Sequence, residues 1–490
     1  MISFLLSILA LILGYLFYGK FVDHVFGPDR SRKTPAIEKQ DGVDYIPLPN
    51  WKVYMIQFLN IAGTGPIFGA IMGAKFGPAS YLWIVFGCIF AGAVHDYMCG
   101  MLSVRHGGQG FPDLVGDYLG QRTKRVMLVF SVVLLLLVGT VFVYSPALIL
   151  GDIAGDGTRG SIMLWVGIIF AYYLIATLLP IDKLIGKIYP IFAVTLLFMA
   201  VALMVYLFHL WPSLPEVWDG LGGWSEQAGV KNQPIFPCLF ITIACGAISG
   251  FHATQSPLMA RCIQNEKMGR PIFYGSMITE GLVALVWAAV SSWFFFDGGA
   301  AQVGSDITAA APTVVTKVSE NWLGLAGGIL AIMGVVAAPI TSGDTAFRSA
   351  RLIIADFVKL PQKDIHKRLA IAIPLFAGSA VLLWFNIEDA NGFNIIWRYF
   401  GWSNQTLAVF MLWTATVYLV KARGKSWYLV TLLPALFMTA VCVTFILVDK
   451  IGFRLPQVAA PWIGLGTFVI SSILFYLWKT KREKMGTYSS

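Results

Sequence analysis

Long apolar runs are the feature that most constrains the fold of this chain. A run of about 20 residues spans the roughly 30 Å hydrocarbon core of a bilayer as a helix. Runs of this kind recur along the whole sequence, which therefore predicts an all-α polytopic membrane protein with about thirteen transmembrane helices. We letter the predicted segments A to M, and they lie near residues 2–20, 52–74, 79–101, 126–150, 161–180, 187–210, 234–257, 271–296, 324–346, 369–387, 393–420, 427–448 and 462–479.

The composition excludes a soluble protein and gives no sign of an enzyme. Of the 490 residues, 57% are hydrophobic and 12% are charged, about half the charged fraction of an ordinary soluble domain. The sequence has no P-loop, no H-E-x-x-H motif and no nucleophile elbow. Its six cysteines show neither a disulfide framework nor the spacing of a zinc site. We therefore predict no catalytic residues, no enzymatic activity and no organic cofactor.

The basic residues are distributed unevenly between the two sides of the predicted membrane. If segments A to M simply alternate in direction, 27 of the 35 Lys and Arg residues lie on one side and six on the other. Because cytoplasmic loops are enriched in Lys and Arg, this asymmetry predicts a cytoplasmic C-terminus and an N-terminus outside. The net charge of +9 is thus a topology signal, and the expected macromolecular partner is the lipid bilayer rather than nucleic acid.

Segments B and G are interrupted by glycine and proline in the middle of the predicted membrane. Segment B carries Gly63-Thr64-Gly65-Pro66, and segment G carries Gly246, Gly250 and Pro257. Backbone groups freed by such breaks cannot face lipid, so they line a cavity or bond to neighbouring helices. The alternative interpretation is two kinked helices with a packing role only.

The spacing of the two interrupted segments resembles a leucine-transporter-type fold. Segment G begins five helices after B, so the two run in opposite directions. We predict a 5+5 inverted repeat, in which the substrate binds near the midplane between the broken helices. The predicted units are an N-terminal helix with a cytoplasmic linker, two five-helix repeats, and two peripheral C-terminal helices with a cytoplasmic tail: 1–50, 51–210, 234–421 and 427–490.

Ionisable residues at membrane depth are functional candidates because their burial is costly. Glu280 lies about 13 Å into segment H, either as an ion or proton site or as a carboxyl that packs between helices. His95 and Asp96 lie together in segment C. Adjacent helical residues point about 100° apart, so we predict that these two are not a mutual pair, and that they serve as a proton relay or as a helix cap.

Further polar residues lie in or beside the breaks. We expect the anionic group of a substrate to meet the free N–H groups of the break in B, where the helix dipole favours negative charge. His252 contacts substrate or donates to a freed carbonyl, and Asn404 bonds to substrate or to a neighbouring helix. The predicted substrate-binding residues are Gly63, Thr64, Gly65, Ser249, His252 and Asn404.

A pair of adjacent hydroxyls in segment I, Thr341 and Ser342, is the candidate for a cation site. Together with the carbonyl of Ala338 one turn earlier, they resemble the sodium ligands of leucine-transporter-like proteins, and oxygen ligands suit a hard cation. Ala62 and Gly63 are the expected carbonyl donors from B. The alternative is hydroxyl back-bonding to the preceding turn. The residues predicted for ion or proton coupling, with Na⁺ or H⁺ as the ion, are Ala62, His95, Asp96, Glu280, Ala338, Thr341 and Ser342.

Two further charged sites lie near the ends of segments I and K. Asp344 and Arg348 are four residues apart in segment I, a spacing that predicts an intrahelical ion pair. Arg398, near the outer end of segment K, extends to the membrane interface or holds a substrate carboxylate.

At these motifs the chain resembles the carbon starvation protein (CstA) family. The matching blocks are DGVDYIPLPNW, IAGTGPIFGA, AGAVHDYM, FPCLFITIACGAISGFHA, NEKMGRPIFYGSMITEG and FGWSNQTLA, and they extend from about Asp41 to Leu407. The family pattern has a His pair where this chain has Ile56-Gln57, and a Gln where this chain has His95. A proton-coupling role of that His pair therefore does not carry over.

The resemblance implies a bacterial inner-membrane protein made under nutrient limitation, with the leucine-transporter fold. It implies a secondary transporter that imports short peptides or a small carboxylate such as pyruvate with H⁺ or Na⁺. Two other functions are compatible with the residues. A nutrient sensor would need a cytosolic effector domain, whereas the longest predicted cytosolic stretch has only about 30 residues. A membrane-embedded enzyme would need His95 to pair with a carboxylate from another helix.

Overall fold

A computed structural model describes residues 1–153, 155, 157–178, 185–231, 233–362, 364–388, 392–423 and 426–484. These residues form helices and connecting loops, with no β-strand among them. Eleven helices are long and apolar enough to cross a membrane, or twelve if one bent pair counts as a single span. The predicted all-α polytopic architecture is confirmed.

The long helices follow the predicted segments closely, and shorter helices lie within or between those segments. Their bounds are α1 Ile2–Phe26, α2 Asn50–Ile61, α3 Gly65–Ala74, α4 Ala79–Arg105, α5 Phe111–Leu119, α6 Gln121–Ile153, α7 Arg159–Leu178, α8 Ile185–Leu210, α9 Phe240–Thr242, α10 His252–Ala260, α11 Glu266–Phe296, α12 Ala311–Phe357, α13 Ile365–Glu388, α14 Gly392–Ala422, α15 Leu429–Val448 and α16 Gln457–Lys484.

The predicted break in segment B is present as a bend between two helices. Helices α2 and α3 are inclined at 52° to each other. Pro66, at the second position of α3, has no N–H to donate and disfavours helical dihedrals at the residue before it. The sequence Gly-Thr-Gly-Pro therefore ends one helix and begins another within the span.

Segment G is broken more extensively than the sequence predicts. The turn α9 ends at Thr242 and α10 begins at His252, and residues 243–251 between them form turns and irregular backbone. Gly246 has a φ of +91°, which only glycine adopts readily. Segment G is therefore not a continuous helix, which is why it is absent from the eleven or twelve candidate spans found among the described residues.

The two broken elements pack directly against each other through glycine. A Cβ atom on Gly65 would lie 2.3 Å from both Cβ and Sγ of Cys245, and a Cβ on Gly73 would lie 2.2 Å from the side chain of Ile243. Gly250 in turn lies against the backbone of α14 at Asn404. Small residues thus let the unwound backbone of G approach both α3 and α14.

Candidate functional site

Four ionisable side chains meet beside the unwound part of segment G. His95 and Asp96 come from α4, His252 begins α10, and Glu280 lies in α11; all four are fully buried. The Asp96 carboxylate lies 2.8 Å from Nδ1 of His95 through Oδ1 and 2.8 Å from Nδ1 of His252 through Oδ2. Nε2 of His252 lies 3.5 Å from Oε2 of Glu280. We call these four residues the buried relay.

The prediction that His95 and Asp96 are not a mutual pair is wrong. Their Cβ directions do differ by about 100° on the helix, but each side chain rotates about two torsions beyond Cβ. Nδ1 is the imidazole nitrogen nearer the backbone, so it can reach the carboxylate of the next residue. Asp96 consequently accepts from two imidazoles that are 157 positions apart in sequence, as the numbers of His95 and His252 give.

The hydrogen bonds to Asp96 fix the tautomers of both imidazoles. An ionised carboxylate only accepts hydrogen bonds, so both Nδ1 atoms carry the proton. Each Nε2 is then left as a proton acceptor. Within the described part of the chain, neither Nε2 nor the Glu280 oxygens have a conventional hydrogen bond. His252 and Glu280 are therefore arranged to exchange a proton across their 3.5 Å contact.

Cys245 lies at the edge of the buried relay. Its Sγ and the ligand-type atoms of His252 and Glu280 lie within 4.8 Å of one another, a proximity that the sequence spacing does not reveal. The thiol donates to Oγ of Ser249 at 3.4 Å. The sulfur also accepts from Nδ2 of Asn404 at 3.8 Å, so Cys245 bonds to both Ser249 and Asn404 while it lies beside the buried relay.

Asn404 of α14 holds the unwound backbone in place. Its Oδ1 accepts from Oγ of Ser249 at 3.0 Å and from the backbone N–H of Phe251 at 2.6 Å. Ser249 and Asn404, both predicted to contact substrate, therefore bond to each other. The amide satisfies two polar groups that segment G exposes by unwinding, as buried backbone requires.

The first break presents polar groups that lack partners. Thr64 is fully buried and its hydroxyl has no hydrogen-bond partner in the described residues, and neither does the side-chain amide of Asn60. Gly63 packs against the ring of Phe142. Asn60 was not predicted from the sequence, although an amide in the last turn before a break was the available signal.

Thr341 and Ser342 lie where α12 meets the end of α2. The Ser342 hydroxyl donates to the carbonyl of Leu59 at 2.9 Å, one turn before the predicted carbonyl donors Ala62 and Gly63. The Thr341 hydroxyl donates to the carbonyls of Ala337 and Ala338, at 2.9 and 2.8 Å. Thr341 thus shows the back-bonding alternative, while Ser342 faces the first broken element.

The two charged residues of α12 that the sequence analysis considered, Asp344 and Arg348, have definite partners. The Asp344 carboxylate accepts from the hydroxyls of Tyr172 and Tyr189. Arg348 donates to the Ala176 carbonyl at 2.8 Å and lies 3.5 Å from Asp44.

Arg398 forms an ion pair with Asp449 at 2.8 Å. This partner lies in the connection after α15, and the sequence analysis did not consider it.

A model of the family described as carbon starvation protein CstA matches residues 1–151, 150–326 and 321–445. The chain belongs to the CstA family. The resemblance read from the motif blocks is therefore confirmed, and CstA membership places the chain among multi-pass bacterial membrane proteins.

Individual CstA relatives differ in how much of this chain they cover. An uncharacterized membrane protein of Haemophilus influenzae is 48% identical and covers 62% of this chain, which spans 93% of that protein. The peptide transporter CstA of Campylobacter jejuni is 28% identical, with 87% of this chain and 77% of that protein aligned. For the peptide transporter CstA of Escherichia coli the values are 26%, 88% and 78%.

Solved structures share the fold at low sequence identity. A crystal structure of the Eremococcus coleocola manganese transporter, in complex with an aromatic bis-isothiourea substituted compound, aligns with a TM-score of 0.59 and 12% identity. The alignment covers 90% of this chain and 99% of that one. The CstA chain thus has the fold of a known membrane transporter.

Proposed function

We propose that this CstA-family protein is a secondary transporter that imports short peptides or a small carboxylate such as pyruvate, driven by protons that pass through the buried relay. The observation that carries the proposal is the convergence of His95, Asp96, His252 and Glu280, all fully buried, at the unwound part of segment G. Buried ionisable groups inside a membrane protein characteristically mark ion or proton pathways.

The geometry suggests how proton binding is coupled to movement. When a proton lies between Glu280 and Nε2 of His252, one group donates to the other across their 3.5 Å contact. Loss of that proton leaves a carboxylate facing an imidazole lone pair, so the position of α10 relative to α11 depends on the protonation state. Because α10 continues directly from the unwound backbone, this change acts on the element that packs against α3.

The substrate is expected at the first break. Gly63, Thr64 and Gly65 lead into α3, whose positive dipole end favours an anionic group. The unpartnered hydroxyl of Thr64 and amide of Asn60 supply the polar groups that a small ligand would satisfy. Relatives named peptide transporters support a substrate with a carboxylate at one end.

A sodium ion is the second candidate for coupling. Its specific support is the 2.9 Å contact between Ser342 and the Leu59 carbonyl, which places a hydroxyl of α12 against freed carbonyls of the first broken element. In this version Na⁺ binds among Ser342, Thr341 and the carbonyls near Ala62. The proton version involves none of these residues, so the two versions can be separated by mutation.

The decisive experiment uses the purified protein in vesicles that are offered labelled dialanine or pyruvate from outside under imposed pH or sodium gradients. We expect an inward proton gradient to drive accumulation. Glu280→Gln should abolish accumulation but retain substrate exchange across the membrane without a gradient, because the variant binds substrate but cannot release a proton. The matched control is Glu320→Gln, since Glu320 is exposed.

The same assay distinguishes the competing functions. Accumulation that follows the sodium gradient and is lost in Ser342→Ala would replace the proton with Na⁺. Exchange without accumulation in the unmutated protein would indicate a passive carrier. Neither uptake nor exchange of either compound by folded protein would overturn the transporter proposal and favour the sensor or enzyme alternatives.

A further inference from the structure

A cavity of about 340 Å³ lies on the predicted outer side of the molecule, within the roughly 300–1,000 Å³ of small-molecule sites. It is lined by residues of α3, α9, α14 and the ends of neighbouring loops, among them Lys75, Gln233, Thr242, Trp397, Arg398 and Asp449. We call this cavity the outer vestibule. Thr242 is the last helical residue before the unwound stretch 243–251, so the vestibule adjoins the break in segment G.

The fixed charges that line the vestibule are not balanced. Two cations, Lys75 and Arg398, face one anion, Asp449. Asp449 is already engaged, because both of its oxygens accept from Nη1 of Arg398, at 3.1 and 2.8 Å. The guanidinium has five N–H donors in all, so Arg398 retains donors beyond those directed at Asp449. The vestibule therefore carries a net positive charge.

Lys75 is the less satisfied of the two cations. Its Nζ donates to the Ile307 carbonyl at 3.3 Å and lies 4.7 Å from the centre of the Phe295 ring. An ammonium group has three donors, so hydrogen-bonding capacity remains for a ligand. Burial lowers the pKa of Lys75, an effect that the nearby Asp306 carboxylate partly opposes. A bound anion would act in the same direction as Asp306 and stabilise the charged amine.

We propose that the outer vestibule binds the carboxylate of the incoming substrate between Lys75 and Arg398, before the substrate reaches the break in segment G. The inference rests on the proposed function for the identity of the ligand and adds the site where it first binds. Arg398 presents planar donors suited to a carboxylate, and Lys75 supplies a point charge. Analogues in which an ester or an amide replaces the carboxylate lack the negative charge that both contacts require.

The test measures binding at equilibrium with the purified full-length protein and no ion gradient. Isothermal titration calorimetry compares pyruvate with methyl pyruvate, and dialanine with dialaninamide. The measured quantity is the ratio of the affinity for the acid to the affinity for the analogue that lacks the carboxylate. We expect Lys75→Met to reduce this ratio about tenfold for at least one pair of compounds, whereas Lys317→Met leaves it unchanged because Lys317 is exposed and outside the vestibule.

A second variant tests the same site independently, in case Lys75→Met fails to fold. Arg398→Met alone would leave Asp449 without its cation, so Arg398→Met is combined with Asp449→Asn, and the pair should reduce the ratio to a similar extent. The inference is overturned if both variants keep the original ratio, or if the unmutated protein binds neither acid. Binding that depends on Lys75 without any uptake would leave the vestibule in place and contradict the proposed transport. Uptake by Lys75→Met with an unaltered affinity ratio would contradict the vestibule site and leave the proposed transport in place.

Discussion

Asp96 illustrates what can and cannot be predicted about single residues in this protein. The depth of an ionisable group follows from hydropathy, so Asp96, His95 and Glu280 could be identified as costly buried residues. Their connectivity could not, because His252 reaches Asp96 from a distant element. The angular argument for adjacent helical residues describes Cβ directions and says nothing about where rotatable side chains end.

Thr341 and Ser342 show the same limit at the cation candidate. The sequence placed both hydroxyls on α12, and their positions opposite the first broken element depended on the resemblance to a known sodium site. In the structure only Ser342 crosses to that element, through Leu59, while Thr341 bonds within its own helix. Adjacent residues on one helix differ in direction, and packing decides which one faces the neighbour.

Gly65 provides a prediction about residue size at the contact between the two breaks. A Cβ atom there would lie 2.3 Å from the Cys245 side chain, which is too close for any heavy-atom contact. We expect Gly65→Ala to destabilise the protein by about 1–3 kcal/mol, the usual cost of overpacking. Thermal unfolding in detergent measures the effect.

Two companion variants test the cause of this loss. Gly167→Ala is the control, since Gly167 is helical with no atom within 4 Å of an added Cβ, and it should be neutral or slightly stabilising. Adding Cys245→Gly to Gly65→Ala removes the clashing atoms and should restore part of the stability. An unfolding midpoint for Gly65→Ala equal to that of the unmutated protein would contradict the close contact.

At the scale of elements, the interruptions were predictable but their extent was not. Glycine and proline mark both breaks in the sequence, and helices α2 and α3 separate where Gly63 to Pro66 predict. The unwound stretch of segment G is nine residues long, from 243 to 251, and its freed backbone groups find partners on other helices: Asn404 of α14 accepts from Phe251, and Trp83 of α4 donates to the Ile243 carbonyl. A partner on another helix leaves no local signal in the segment that it stabilises.

Asn404 gives the corresponding prediction. It accepts from Ser249 and from the N–H of Phe251, so Asn404→Ala leaves two buried donors without partners. Each such donor costs about 1–3 kcal/mol, so we expect the unfolding free energy to fall by about 2–6 kcal/mol and uptake to be slower. Denaturation in detergent and vesicle uptake measure the two effects.

Asn386 is the matched control for this variant. Its side chain is also buried, yet neither amide atom has a hydrogen-bond partner among the described residues. Asn386→Ala therefore removes an unsatisfied polar group and should cost less than Asn404→Ala. If the two variants were equally destabilising, Asn404 would be a packing residue rather than the support of the unwound backbone.

The whole molecule has polar features of opposite kinds at its two predicted ends. On the outer side the vestibule leads to the break in segment G. On the inner side Asp44, from the linker before α2, is buried against Arg348 and Arg351 of α12, at 3.5 and 4.0 Å. The described part of the chain thus has a polar cavity near one predicted end and buried charges near the other.

The arrangement of the helices into two inverted repeats, 51–210 and 234–421, stays a prediction. The likeness to a manganese transporter with a TM-score of 0.59 shows a shared fold over most of the chain. Sequence could predict the order of the spans and nearly their number, because each span carries its own apolar signal. The relation between the halves is a property of three-dimensional superposition and has no signal within any one segment.

The orientation of the molecule in the membrane yields the last prediction. The asymmetry of 27 basic residues against six predicts that the first part of α12, before Gly324, lies outside and that the start of α13 lies in the cytoplasm. Lys317 and Lys367 lie in these two regions and are exposed. The six native cysteines are buried, so a single new surface cysteine can be detected above a low background.

We therefore expect a membrane-impermeant maleimide to label Lys317→Cys on intact cells and to label Lys367→Cys only after the cells are opened. A permeant maleimide, which should label both variants in intact cells, confirms that each cysteine is reactive. The reverse pattern would place the vestibule on the cytoplasmic side. The direction of proposed transport would then have to be reversed, since the cavity that adjoins the break in segment G would receive substrate from inside the cell.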